Sequence, residues 1–141
     1  MKAKDVAESI EGDALVIGSD TIVYCDEIMG KPRNREDAFC MLAKLSGKQH
    51  LVISGISIIN TATGESLTEH ESTRVKIKEL SNAEITAYIN TGEPEDKAGA
   101  YAIQGLGSLF VEGIQGDYFN IVGLPIFRLR KMLEHFGVKL I

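Results

Sequence analysis

Two long runs rich in β-branched residues constrain the fold more than any other part of the sequence. They extend from Gln49 to Asn60 and from Ser66 to Lys78, and the segment Thr61-Ala62-Thr63-Gly64 lies between them. Turn-forming residues between two such runs predict a β-hairpin with long strands. Any architecture for this chain must therefore place a hairpin among the neighbouring elements.

Helical signals stand on both sides of the hairpin. From Ala3 to Ile10, apolar residues recur at three- and four-residue spacing, as on one face of a helix. Asn34 to about Leu45 is predicted to form a helix with Asn34 as its N-cap. Ser81 and Glu84 form a capping box that predicts another helix, and Pro125 suits the first turn of a closing helix.

Shorter apolar runs complete the predicted sheet. Ala14 to Gly18 is typical of a strand buried on both faces, and Thr21 to Cys25 forms a second β-rich run. Strands and helices alternate along the chain, yet a hairpin is embedded among them. We therefore expect the α/β class, with a mixed β-sheet flanked by helices. A length of 141 residues predicts a single domain over residues 1–141.

The composition argues against several classes of function. The formal net charge of −5 disfavours nucleic acid and anionic membranes as partners, because both need a basic surface. No apolar stretch approaches the ~20 residues of a transmembrane helix, and the N-terminal sequence lacks the core of a signal peptide. Cys25 and Cys40 lie outside any CxxC motif, which indicates free thiols. We expect a cytoplasmic protein, and the sequence leaves a homodimer open.

Asp20 is the strongest candidate for chemistry. It follows the run that is predicted to form a buried strand, where open α/β sheets place their ligand crevices. A carboxylate there can hold a divalent cation that bridges phosphate oxygens, or accept a proton from an attacking water. It can equally cap the following turn through the backbone, so its position alone leaves these interpretations balanced.

Two loops supply further candidates. Gly30-Lys31-Pro32 presents a lysine from a stiff turn, which suits a phosphate, although a lysine in such a turn is more often simply solvated. The loop between residues 92 and 107 carries Gln104, whose amide offers one donor and one acceptor to the edge of a base.

In the segment that precedes the closing helix, Asp117 and Asn120 are interpreted as turn and capping residues.

Read in order, the motifs of the chain resemble those of the Maf family. The resemblance covers nearly the whole sequence, and its strength comes from the order and spacing of the motifs. They are Gly18-Ser19-Asp20-Thr21, Gly30-Lys31-Pro32, Leu45-Ser46-Gly47, Ser54-Gly55, Gly92-Glu93-Pro94, Asp96-Lys97-Ala98-Gly99-Ala100-Tyr101, Ile103-Gln104-Gly105 and Asn120-Ile121-Val122-Gly123-Leu124-Pro125. The resemblance implies an α/β fold related to the inosine triphosphate pyrophosphatases and hydrolysis of the α–β bond of nucleoside triphosphates.

The resemblance also implies roles for individual residues. Asp20 matches the catalytic carboxylate, which is taken as the proton acceptor for water. It is also the residue expected to bind a divalent metal cation, Mg²⁺ or Mn²⁺. Thr21 and Gln104 match the positions that tune base selection. Lys31 matches the lysine of the phosphate site, and Lys2 resembles the lysine that ends the first long helix of the family. The combination of Asp20-Thr21, the motif from Asp96 to Tyr101, and Gln104 is similar to the branch of the family that prefers dTTP and UTP.

One departure from the family pattern concerns the phosphate site. The family begins with a strand and a Ser-x-Ser-x-Arg-Arg loop, and nothing in this sequence matches them. We therefore expect a fragment, an internal start or an incomplete gene model, N-terminally truncated relative to the family. Weak or absent activity is expected if the chain is complete as given.

The predicted function is a nucleoside triphosphate pyrophosphatase that converts dTTP, UTP or related modified nucleotides to the monophosphate and pyrophosphate. Two alternatives stay open. One is a catalytically silent nucleotide-binding or regulatory module, since the resemblance links the family to septum formation. The other is the same chemistry on 7-methyl-GTP.

Overall fold

The computed structural model describes residues 2–141, with the side chain of residue 2 outside the description. The helices are α1 (Lys2–Ser9), α2 (Arg35–Leu45), α3 (Asn82–Asn90), α4 (Tyr118–Val122) and α5 (Ile126–His135). The strands are β1 (Leu15–Cys25), β2 (Glu27–Met29), β3 (Gln49–Asn60), β4 (Ser66–Ile77) and β5 (Val111–Gln115). Short 3₁₀ turns cover Glu93–Asp96, Ala98–Ala100 and Leu106–Phe110.

Across the described residues, the strands form one five-stranded sheet in the order β2-β1-β3-β4-β5. The α/β class with helices packed on a sheet is confirmed, and so is the predicted hairpin, which is β3 and β4. The pairings between these strands are all antiparallel, whereas a mixed sheet was expected. The reason is that β2 and β3, which α2 connects, run in the same direction but have β1 between them, so no two parallel strands are neighbours.

The region around Asp20 differs from the prediction. The two runs predicted as separate strands form one continuous strand, β1, and Asp20 lies in its middle, opposite Gly55 of β3. The prediction that Asp20 follows the end of a strand was therefore wrong. So was the expectation of burial on both faces, because Ile17 is 43% exposed. Pairing with β3 keeps the polar residues of β1 extended.

The main core lies on one face of the sheet. Val52 and Val75 from the sheet pack with Leu42 of α2 and with Ile85 and Tyr88 of α3. A second cluster joins Ile56 and Ile58 of β3 to Met132 and Leu133 of α5. Since side chains alternate along a strand, the positions beside these point to the opposite face.

Helix α1 covers part of that opposite face. Ala3 is buried against Gly18, where an added Cβ would lie 2.9 Å from the Cβ of Ala3. Residue 18 therefore has to stay small for α1 to pack on β1. Within residues 2–141, no helix is long and apolar enough to cross a membrane.

The predicted caps define two of the helices. The Asn34 side chain accepts a hydrogen bond from the Asp37 amide at 2.7 Å, and α2 begins at the next residue. Ser81 and Glu84 form the reciprocal capping box of α3, with both hydrogen bonds at 3.1 Å. Both predicted helices are confirmed, because their start signals are local in sequence.

Candidate active site

A cleft of about 310 Å³ opens beside β1. Its walls come from the middle of β1, the loop after β2, the segment from residue 96 to residue 104, and the end of α4. The residues that line it are Ser19, Asp20, Thr21, Val23, Lys31, Val52, Asp96, Lys97, Ala98, Tyr101, Ala102, Ile103, Gln104, Ile121, Val122 and Gly123. The cleft thus gathers charged, amide and apolar groups, as ligand sites do.

Asp20 lies at an open part of the sheet edge. Within the described residues, β2 pairs only with Val23–Cys25, so β1 has no neighbour on that side at Asp20. The carboxylate is exposed, and its Oδ1 accepts a hydrogen bond from the Thr21 amide at 3.0 Å. Asp20 also lines a second cavity of about 310 Å³ with Gly18 and Gly55. Asp20 therefore lies at the border between the two cavities.

Two lysines and a second acid share the cleft with Asp20. Lys31 is exposed, and its loop is tied down by a hydrogen bond from the Gly99 amide to the Gly30 carbonyl at 3.1 Å. The Lys97 ammonium donates to the Asp96 carboxylate at 2.7 Å. That hydrogen bond and the charges of Lys97 and Lys31 lower the pKa of Asp96.

Lys31 and Lys97 both line this cleft. The cleft thus contains two cations, and a phosphate role was predicted from the sequence only for Lys31. Lys97 lies inside the motif Asp96-Lys97-Ala98-Gly99-Ala100-Tyr101, so the signal that could have found it was present.

Thr21 connects the strand to the opposite wall of the cleft. Its hydroxyl lies 2.8 Å from the hydroxyl of Ser54 on β3. Ser54 in turn donates to the Asn120 carbonyl at 3.0 Å, and Ser19 donates to the Gly123 carbonyl at 2.9 Å. Through these contacts the strand residues fix the end of α4 that forms the wall.

Asn120 is the main anchor of that wall. It is fully buried, and its Nδ2 lies within hydrogen-bonding distance of three oxygens, those of the Val52 and Glu71 carbonyls and the Thr73 hydroxyl, at 3.0, 3.1 and 3.0 Å. Asp117 caps α4 as predicted, accepting from the Phe119 amide at 2.8 Å. The interpretation of Asn120 as a turn or capping residue was wrong, because its side chain points into the sheet.

Gln104 stands exposed at the mouth of the cleft. Behind it, Tyr101 is buried and its hydroxyl lies 2.7 Å from Nε2 of His50. The segment that carries Gln104 is further held by Glu93 and Tyr88, as described below. Glu93 lies in the motif Gly92-Glu93-Pro94, but no supporting role was predicted for it or for Tyr88.

The structure brings Asp20, Thr21, Lys31 and Gln104 to one cleft. These four residues were predicted from three separate parts of the sequence, since Asp20 and Thr21 are neighbours. Their roles in substrate binding and catalysis stay predictions. The side chain of Lys2 lies outside the described residues, so its predicted role also stays a prediction.

The donor set of the cleft is compatible with Mg²⁺ or Mn²⁺. In the part of the chain that the structure describes, no group of three or more histidine, cysteine and acidic side chains could form a complete metal site. Mg²⁺ is usually held by one or two carboxylates together with substrate phosphates, and it prefers oxygen ligands. Asp20 provides such a carboxylate, while Asp96 is already paired with Lys97.

Comparison with known proteins places the chain in a family. Residues 1–136 match the model of the family described as Maf-like protein. The chain is 52% identical over 141 residues to the dTTP/UTP pyrophosphatase of Alkaliphilus oremlandii, covering 99% of this chain and 73% of the relative. It is 51% identical to the dTTP/UTP pyrophosphatase of Caldanaerobacter subterraneus, covering 98% of this chain and 68% of the relative. The chain belongs to the Maf family.

Proposed function

We propose that the protein is a nucleoside triphosphate pyrophosphatase that hydrolyses dTTP, UTP or related modified nucleotides to the monophosphate and pyrophosphate. The observation that carries the proposal is the convergence of Asp20, Lys31 and Gln104 on one cleft. Family membership and relatives named dTTP/UTP pyrophosphatase at about half identity support the same chemistry.

In the proposed reaction, water adds across the bond between the α and β phosphates. The Asp20 carboxylate accepts a proton from this water while the water oxygen forms a bond to phosphorus. The phosphoanhydride bond breaks, and pyrophosphate leaves with the bonding electron pair. Asp20 suits this role because it is exposed and borders the cleft.

The negative charge on the phosphates requires cations. Lys31 and Lys97 line the cleft and are proposed to pair with the phosphate oxygens, which stabilises the developing charge. A divalent metal, Mg²⁺ or Mn²⁺, is proposed to be held by Asp20 together with the substrate. When bound, it supplies further neutralising charge on the phosphate oxygens.

Base selection is assigned to Gln104 and Thr21. The uracil and thymine ring offers an N–H donor next to a carbonyl acceptor, and the amide of Gln104 offers the complementary acceptor and donor. Gln104 is exposed at the cleft mouth and free to face a base, whereas the Thr21 hydroxyl already contacts Ser54. We therefore expect Gln104 to contribute more to the preference between bases.

The test is pyrophosphate release with Mg²⁺ or Mn²⁺ over a panel of dTTP, UTP, dCTP, GTP and 7-methyl-GTP. Wild-type protein is expected to favour dTTP and UTP, and Gln104→Ala should weaken that preference more than it slows dTTP turnover. The matched control is Gln115→Ala, because Gln115 is exposed on β5 and does not line the cleft.

Other outcomes of this assay decide between the remaining alternatives. Nucleotide binding without pyrophosphate release would favour a silent nucleotide-binding module. Preferential release from 7-methyl-GTP would replace the proposed substrate but keep the chemistry. A uniform loss over all bases in Gln104→Ala would count against its role in base selection.

A further inference from the structure

The carboxylate of Glu93 supports the segment that carries Gln104. Its Oε1 accepts a hydrogen bond from the Leu106 amide at 2.9 Å, and its Oε2 accepts one from the Gly107 amide at 2.9 Å. Glu93 itself begins the 3₁₀ turn that ends at Asp96. One side chain thus ties the segment after Gln104 to the turn that leads into the cleft.

Tyr88 of α3 holds the other end of the same segment. Its hydroxyl donates to the Glu93 carboxylate and accepts a hydrogen bond from the Ala102 amide at 3.0 Å. Tyr88 is buried in the core and stacks edge-on with Phe110. Gln104 therefore lies between two backbone positions, 102 and 106, that are both fastened to this pair.

The glycines of the segment allow this close approach. A Cβ on residue 105 would overlap the Glu93 carboxylate. A Cβ on residue 107 would lie 2.8 Å from the Tyr88 hydroxyl. The backbone consequently packs directly on the two side chains, which leaves little room for the segment to shift.

The charge state of the pair agrees with this geometry. Burial opposes ionisation of Glu93, but the hydrogen bonds from Tyr88, Gly107 and Leu106 outweigh it and lower the pKa of the carboxyl group. Burial, and then the hydrogen bond to Glu93, raise the pKa of the Tyr88 hydroxyl. At neutral pH the carboxylate is an acceptor and the phenol a donor, as the contacts require.

We propose that Glu93, supported by Tyr88, is a positioning residue that fixes Gln104 for base selection. The inference rests on the proposed function of Gln104. An exposed amide can discriminate between bases only if its backbone is held in place, because a mobile amide can turn to suit either base edge. The Glu93 carboxylate provides this support without lining the cleft itself.

The test compares Glu93→Gln, Tyr88→Phe and the control Glu95→Gln in the full chain. Glu95→Gln removes the same charge from an exposed side chain two residues away. The readout is the ratio of kcat/KM for dTTP to kcat/KM for dCTP, together with kcat for dTTP. Hydrogen exchange of the Leu106 and Gly107 amides reports whether the segment has been released.

Glu93→Gln is expected to lower the dTTP to dCTP ratio by about tenfold, roughly the effect of one lost hydrogen bond, and to speed exchange at both amides. Tyr88→Phe should lower the ratio in the same direction, and Glu95→Gln should leave it unchanged. In a Gln104→Ala background, Glu93→Gln should not lower the ratio further, because the side chain that it positions is gone.

An equal loss of kcat/KM for both nucleotides, or an unchanged ratio in a folded Glu93→Gln protein, would overturn the inference. Wild-type protein without turnover would refute the proposed function instead. In that case the dissociation constants for dTTP and dCTP are measured in the same variants. A weaker preference for dTTP over dCTP in Glu93→Gln would support the positioning role, and an unchanged preference would contradict it.

Discussion

The Tyr101 hydroxyl lies 2.7 Å from Nε2 of His50, directly behind the wall of the cleft. The two rings meet edge-on with centroids 5.4 Å apart, and both side chains are buried. Nδ1 of His50 is buried without a hydrogen-bond partner among the described residues. The pair therefore links the cleft wall to the core, and no acidic side chain of the described residues hydrogen-bonds to His50 to stabilise its charged form.

This pair makes folding stability depend on pH. Burial lowers the pKa of His50 to about 4, from 6.5. His50 of the unfolded chain thus binds a proton more readily than His50 of the folded protein. The contribution of neutral His50 to folding stability is therefore complete above pH 6.5 and is lost as the pH falls toward 4. When the pH falls from about 7.5 to about 5, the free energy of unfolding of the wild-type protein should decrease by about 2 kcal/mol more than that of His50→Gln.

Urea unfolding at the two pH values measures this difference. His70→Gln is the control, because His70 is exposed on β4, and it should retain the wild-type dependence. Equal losses in wild type and His50→Gln would show that His50 does not cause the effect.

Replacement of Asn120 should destabilise the fold at the cleft wall. Asn120→Asp removes the donor that faces three oxygens and places a charge among them in a fully buried position. We expect a loss of about 3 kcal/mol or more in the free energy of unfolding at neutral pH. Chemical denaturation measures it, with Asn82→Asp as the exposed control. A loss no larger than that of the control would contradict the anchoring role.

Gly105→Ala should be more harmful than Gly113→Ala. The added Cβ at residue 105 meets the Glu93 carboxylate, whereas at residue 113 it meets nothing within 4 Å. Overpacking of this kind costs about 1–3 kcal/mol. Thermal unfolding of the two variants tests the difference, and equal melting temperatures would show that the segment has room to move.

Lys97→Gln should lower the catalytic efficiency with the nucleoside triphosphate. Lys97 lines the cleft with Lys31 but is partly exposed and paired with Asp96, so its loss should lower kcat/KM by about tenfold. Lys48→Gln is the control, because Lys48 is exposed and does not line the cleft. Full activity in Lys97→Gln would remove this residue from the phosphate site.

The elements that were predicted well have signals close together in sequence. Asn34 and the Ser81–Glu84 box mark helix starts within a single turn, and the residues at 61–64 mark the hairpin. The middle of β1 was misassigned because Ser19-Asp20-Thr21 has the composition of a turn. What keeps it extended is pairing with β3, which lies more than thirty residues away.

The candidate site shows the same division. Asp20, Lys31 and Gln104 could be selected from residue type and motif, and the fold brings them to one cleft. The supporting roles of the residues behind them could not be predicted, because each acts through contacts between distant segments, even though Glu93 and Asn120 stand within motifs of the sequence. Asn120 bonds to carbonyls of β3 and β4, and Glu93 to amides beyond residue 105.

In the proposed reaction, the Asp20 carboxylate accepts the proton of the water that hydrolyses a triphosphate in this cleft. The most direct measurement is the release of pyrophosphate and nucleoside monophosphate from dTTP by wild type and Asp20→Asn, with dTTP binding measured in parallel. We predict that Asp20→Asn loses about 10²–10⁴-fold in kcat while it still binds dTTP. A wild-type kcat in the folded Asp20→Asn protein would contradict the catalytic role of Asp20.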